Sequence, residues 1–269
     1  MKRFLALILA GVLCVSLAGC KAKEDTASKS AVITGGLTAA QSVDIFKEIQ
    51  AVTAATGDAS NLQFDADFEM LMNMKFAGNA MDTTTKGNIK VVYTEGEIKG
   101  FLFDGKIDAL GQSADMAMFK GSDGNYYQVQ NGTKIPVDEA QIAQFVNPTA
   151  SAGEVSIKDE YVKSGSKYTL GEDTVYEIVL DGKALINEAG SLGSLADLEA
   201  LGMKPEDINV SDMIYTYTVS KEGQPKAVKV AFAMEMETAG QKVSIETAVT
   251  MSFNSFKDVV VDISKYDSL

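Results

Sequence analysis

The chain has 269 residues, with 24 basic and 37 acidic side chains, no histidine and two cysteines, for a formal net charge of −13. That length allows one or two ordinary domains with a real hydrophobic core. So acidic a surface repels phosphate backbones, which excludes a nucleic-acid partner, and the missing histidine removes the commonest general base and zinc ligand.

The first residues fall into three zones. Lys2 and Arg3 give a positive start, Phe4 to Ala18 is an apolar run, and Leu17-Ala18-Gly19-Cys20 leads at once into polar sequence. This is the layout of a secretory signal, and the run is shorter than the roughly 20 residues that span a bilayer. Leu-Ala-Gly-Cys resembles the lipobox of bacterial lipoproteins. The resemblance implies that residues 1–19 are removed, that Cys20 is the lipid attachment site and new N-terminus, and that the protein is held on the extracytoplasmic face of the cell membrane. Two or three acyl chains anchor stably where one is marginal. Removing residues 1–19 leaves 22 basic against 37 acidic residues, net −15. That balance opposes a broad electrostatic patch on anionic lipid, so the membrane contact falls to the anchor. Cys14 leaves with the signal, so no internal disulfide is expected. Residues 20–37 read as the lipidated cysteine and a flexible tether with a reach of roughly 20–25 Å.

A helix is predicted over Ala39–Ala55, with Thr38 and Gln41 as a capping-box pair and Val43, Phe46, Ile49 and Val52 on one face. From Phe64 the sequence FDADFEMLMNMKF alternates strictly. Phe64, Ala66, Phe68, Met70, Met72, Met74 and Phe76 fall on one side, and Asp65, Asp67, Glu69, Leu71, Asn73 and Lys75 on the other. A period of two over that length is a strand of roughly 40 Å with one apolar face. Further strands are predicted near 86–94, 97–104, 114–120, 125–130 and 133–137, with Asp104-Gly105, Asp123-Gly124 and Asn131-Gly132 as hairpin turns. A short helix follows near 138–146, then strands near 154–163, 166–170 and 173–180. A broken helical region covers about 183–201, split by Gly190 and Gly193, with Gly202 as its C-cap. Strands near 212–220, 226–238, 241–253 and 258–264 complete the chain. Val228, Val230, Phe232, Met234 and Met236 share one face, as do Val243, Ile245, Val249, Met251 and Phe253.

Long strands joined by tight turns must be antiparallel. The expectation is one domain over 38–269 of class α+β, mainly antiparallel β: a curved sheet or half-barrel covered by two to three helices, its other face wet. The lipobox, tether, amphipathic helix, one-sided long strand and late run IYTYTVSKEGQPKAVKVAFAMEME together resemble the lipoprotein-carrier superfamily of LolA, LolB, LppX and LprG. The resemblance implies a half-closed antiparallel barrel with helices over its mouth and an acyl chain or lipidated molecule held between them. It is architectural, and it carries no binding residue over to this chain.

Catalytic chemistry is thinly represented. Ser164-Gly165-Ser166-Lys167 matches S-x-x-K, but it falls in a predicted polar turn without a K-T-G strand. Asp104, Asp108 and Asp123 show no calcium-loop spacing, and Asp65, Asp67 and Glu69, on one face of a strand, read as a solvated edge. No metal, cofactor or catalytic residue is assigned, and the protein is not expected to be an enzyme. The twelve methionines stand out, several paired at i, i+2: Met70, Met72 and Met74; Met116 and Met118; Met234 and Met236. Soft unbranched side chains suit either a filled core or a surface that accepts variable apolar shapes. The favoured expectation is an apolar cleft for a lipid or other hydrophobic ligand, lined by Phe68, Met70, Met72, Met74, Phe232, Met234 and Met251. The alternative is a filled core in a non-catalytic structural or protein-interaction lipoprotein of the cell envelope.

Overall fold

A computed structural model describes residues 39–55, 61–76, 79–95, 97–130, 132–138, 142, 158–185, 208–238 and 241–269. The signal, Cys20, the tether and Thr38 lie outside them. So do most of the predicted helix 138–146 and nearly all of the helical region 183–201 with Gly190, Gly193 and Gly202.

Helix α1 spans Ala39–Ala55, as its periodicity predicts. Twelve strands follow: β1 Asn61–Phe76, β2 Asn79–Thr94, β3 Glu97–Ala109, β4 Gln112–Lys120, β5 Tyr126–Gln130, β6 Thr133–Val137, β7 Val162–Leu170, β8 Asp173–Leu180, β9 Ile208–Val210, β10 Met213–Val219, β11 Pro225–Thr238 and β12 Gln241–Ser255. A short 3-10 turn, Asp159–Tyr161, precedes β7, and a one-turn helix α2, Ser264–Asp267, closes the chain. Among the described residues no helix is long and apolar enough to cross a membrane.

All the strands belong to one open, antiparallel, curved sheet in the order β6-β5-β4-β3-β2-β1-β12-β11-β10-β8-β7, with β9 alongside β11. Two up-and-down meanders, β1–β6 and β7–β12, are joined by pairing of β1 with β12, from Asp65 opposite Ser255 to Phe76 opposite Val243. The strand partners and the buried members of every core cluster lie at or beyond Ile45, so a chain beginning at Lys21 retains them all.

One face of the sheet, here the inner face, carries three of the four apolar clusters. The first joins Phe64, Phe68 and Met70 to Phe101, Phe103, Met118 and Met251, with Ile142 buried among them. The second seats Ile45, Phe46 and Ile49 of α1 on Tyr176, Ile178, Leu180 and Tyr217. Ion pairs Lys47–Asp159 and Glu48–Lys167 flank that contact. The third gathers Val210, Phe232, Met234, Met236 and Val243.

Three turn or strand expectations are corrected. Asp104-Gly105 is not a turn but the middle of β3. Gly105 pairs with Gly87 across β2, and a Cβ on either would collide with backbone at 2.4–2.5 Å and with the Phe103 ring lying over both. The hairpin comes later, at Leu110-Gly111, where both φ angles are positive (53° and 74°), as a type I′ turn requires. Ser164–Lys167 is likewise continuous β7, because Gly165 is needed under α1, where a Cβ would lie 3.2 Å from Ser42 Cα.

The third correction concerns 258–264, which is not a strand. The Ser255 hydroxyl accepts from the Lys257 amide and Asp258 takes φ 54°, turning the chain off the sheet. It then runs back across the outer face. The Val259 amide donates to Gln63 Oε1 (3.1 Å), Val261 lies on Gly100, and Tyr266 stacks on Phe119 with ring centroids 5.8 Å apart. Lys134 Nζ holds Asp267 through its carbonyl (3.2 Å) and carboxylate (3.4 Å). Ala117, Phe119, Val129 and Tyr266 thereby form a fourth cluster on a face expected to be wet. Among the described residues α1 is the helix that covers the inner face, and α2 serves the outer face.

Candidate functional site

Strand register decides which predicted site residues meet. Phe68 stands opposite Met251, Met70 opposite Val249, Met72 opposite Thr247 and Met74 opposite Ile245. On the next strand Met251 faces Val228, Thr247 faces Phe232 and Ile245 faces Met234. Phe68, Met70, Met72, Met74, Phe232, Met234 and Met251 therefore project from the same face of three adjacent strands, β1, β12 and β11.

They do not share one environment. Phe68, Met70 and Met251 are buried in the first cluster, and Phe232 and Met234 in the third. Met72 and Met74 lie between these filled regions and are only half-buried, as are Ile245 and Val249. The inner face is thus packed toward both sides and partly accessible along the middle of β1 and β12.

Two polar features enter this apolar row that alternation of hydrophobic residues does not reveal. Thr247, 4% exposed, sits between Met72 and Phe232, and its Oγ1 finds no hydrogen-bond partner. The period of two from Val243 to Met251 passes through position 247, and that was the available signal. Tyr215 of β10 stands opposite Val230 and stacks on Tyr217, with centroids 6.4 Å apart. Burial, and secondarily the Tyr217 phenol, pushes its hydroxyl well above the usual tyrosine value, so it stays neutral at any ordinary pH.

The outer face behaves differently. Asp65 accepts from Asn88 (2.7 Å) and Asn254 (3.1 Å) and pairs with Lys90 at 3.4 Å. Burial alone would raise its carboxyl, but those hydrogen bonds and the Lys90 charge outweigh it and hold the group below the ordinary range. Asp67 accepts from Asn88 (3.3 Å), and Glu69 pairs with Lys86 at 2.7 Å. The acidic row is a laced surface of amides and lysines.

Two depressions bordered by described residues have mixed polar and apolar linings and lie elsewhere. One, of about 450 Å³, is bordered by Lys163, Lys183, Asp181, Asp212, Ala184 and Val210. Lys163 there bridges Asp181 (3.2 Å) and Asp212 (2.5 Å). The other, of about 430 Å³, lies beneath the C-terminal segment beside Lys99, Lys120, Gly100 and Val261. Neither includes a predicted cleft residue. Ser164 and Lys167 also do not meet as a catalytic pair. On a strand they fall on opposite faces, and Lys167 is engaged by Glu48 and the Tyr176 ring.

These features define a β-rich protein of one open antiparallel sheet, with apolar clusters on its inner face and a strapped outer face. The chain belongs to the family described as a family of unknown function, DUF6612, which it matches over residues 44–263. No curated protein matches it. Among solved structures it is similar to the ywiB protein from Bacillus subtilis, at 6% identity and TM-score 0.22, over 73% of this chain and 96% of that one. It is similar to a DUF1329 family protein from Desulfovibrio piger, at 11% identity and TM-score 0.29, over 86% and 98%. An outer membrane lipoprotein-sorting protein domain from Vibrio parahaemolyticus gives 10% identity and TM-score 0.25, also over 86% and 98%. At these scores no likeness bears on function.

Proposed function

We propose that this protein is a membrane-anchored, extracytoplasmic lipoprotein that holds a lipid or other hydrophobic ligand against the inner face of its sheet, without catalysis. The observation carrying this reading is the half-buried row Met72, Met74, Ile245 and Val249 between two filled clusters. A packed core would close over such a row, whereas methionines bordering open space can re-pack around a chain of variable shape. Anchoring rests on the Leu17–Cys20 motif. Labelling with palmitate in the native host should mark the wild type and not Cys20→Ser.

The ligand is tested with the chain from Lys21 onward, purified without detergent and extracted for mass spectrometry. A lipid present at one equivalent, and missing from Met72→Glu, is expected. A folded protein that carries no lipid and takes up no fluorescent fatty acid would overturn the reading. That outcome would favour the other one, a filled core in a protein-interaction lipoprotein. Burial of Phe68, Met70, Phe232, Met234 and Met251 within clusters is what speaks for it.

A further inference from the structure

Thr247 presents a chemical mismatch in the middle of the inner face. Its cross-strand neighbours are Met72 and Phe232, and its same-face neighbours along β12 are Ile245 and Val249. None of these side chains offers an oxygen or nitrogen to the hydroxyl, and Oγ1 is buried without a hydrogen bond. A buried hydroxyl left unpaired is costly, and a valine of the same shape would fill the position without that cost. A bound water is a poor solution, since buried waters need two to four polar partners and this position supplies one. A polar atom carried in on an apolar chain satisfies the hydroxyl and covers the half-buried methionines together.

We infer that Thr247 is the polar anchor of the inner-face site, and that the ligand is an acyl ester whose carbonyl oxygen accepts the Thr247 hydroxyl while its chain lies along Met72 and Met74. This rests on the lipid-binding reading above and adds to it the chemical class of the ligand and the residue that reads it. Hydrocarbon alone leaves the hydroxyl unpaired, so the site discriminates by one hydrogen bond.

The test uses the chain from Lys21 with two probes, methyl palmitate and hexadecane, delivered from cyclodextrin. The wild type should bind both and prefer the ester. Thr247→Val should weaken methyl palmitate binding on the order of fivefold, the worth of one net hydrogen bond, and leave hexadecane unchanged. Thr247→Ser should restore the preference. With a carbon-13 label on the carbonyl, the infrared stretch of the bound ester should sit at lower frequency in wild type than in the valine variant. Equal loss for both probes in Thr247→Val would mean a structural role and overturn the inference, as would no loss. Should the valine variant not fold, a wild-type carbonyl band at the frequency of an unbonded ester would also overturn it. Failure of wild type to bind either probe would remove the lipid reading itself, whereas binding of both without ester preference would remove the anchor alone.

Discussion

Gly165 of β7 lies directly beneath Ser42 of α1, close enough that a Cβ on the glycine would stand 3.2 Å from Ser42 Cα and 3.0 Å from Ile178 Cδ1. The helix backbone therefore rests on the strand, and Ser42 is fully buried by the contact. Gly165→Val should lift α1 and destabilise the protein by about 1–3 kcal/mol, the usual cost of overpacking. Gly165→Ala should cost less, because the neighbour must yield only a few tenths of an ångström. Urea midpoints at constant m-value check both, and a valine variant as stable as wild type would deny the close approach. Lys167→Met, which removes the half-exposed Glu48 pair, should change stability by under about 1 kcal/mol.

Leu71 and Met72 are adjacent in sequence and lie on opposite faces of β1. Leu71 is 44% exposed on the outer face, while Met72 is half-buried opposite Thr247. Leu71→Glu should leave both stability and fatty-acid uptake close to wild type. Met72→Glu should abolish uptake and lower the melting temperature. Equal effects of the two substitutions on uptake would mean that the inner face is not the binding surface.

Tyr266 fastens the C-terminal segment to the outer face through Phe119. Tyr266→Ala should cost about 2–4 kcal/mol, less than a central aromatic truncation because the site lies near the end of the chain. Amide exchange should accelerate across residues 256–269 and on β4, and remain slow on β11 and β12. Uniform acceleration over the whole sheet would contradict a local strap.

Acid should weaken the β4–β5 turn and this strap, whose carboxylates are held below their ordinary range. The Tyr127 hydroxyl donates to Asp123 Oδ2 at 2.6 Å, and with the Asn125 side chain and amide it holds the carboxyl at about 2. Asp267 is also held below the ordinary value, by Ser122 first and then by Lys134. Both folded values lie below the unfolded one of 3.8. Their contribution is therefore fully present above pH 3.8 and is lost as pH falls through the folded values, toward about 2 for Asp123. Tyrosine fluorescence followed from pH 5 to pH 2 should report loosening in that window, and the Asp123→Asn, Asp267→Asn double variant should lose most of that pH dependence. An unchanged profile in the double variant would place the acid sensitivity elsewhere.

Periodicity made much of this fold legible. Helix Ala39–Ala55 and strands Thr133–Val137 and Asp173–Leu180 fall where alternation and capping signals put them. The long strand predicted from Phe64 is three residues longer at its start. The misses share a cause, because each concerns a residue chosen for what approaches it across the fold. Gly105 and Gly165 look like local breakers, yet one admits the Phe103 ring and the other admits α1. Val259 to Ile263 have strand composition, but Gln63, Gly100 and Phe119 engage them as a strap. The seven predicted site residues did come to one face, since strand parity fixes facing. The division of five of them between two packed clusters, with Met72 and Met74 half-buried between, depends on distant chain segments and was not legible. Thr247 is not marked by apolar alternation, because it is the polar residue that interrupts the run from Val243 to Met251.

Pairing of β1 with β12 joins residues far apart in the chain, as with Phe68 and Met251, 183 positions apart. Chains emerge amino end first, so β1 to β6 can form hairpins early while the far side of β1 waits for nearly the whole remaining sequence. Until then that side is an open edge beside Phe68, Met70, Met72 and Met74, the kind of template on which neighbouring chains aggregate. Late closure makes the assembly pathway its most exposed stage, and a holding chaperone would be needed longest by the strand that carries Met72 and Met74.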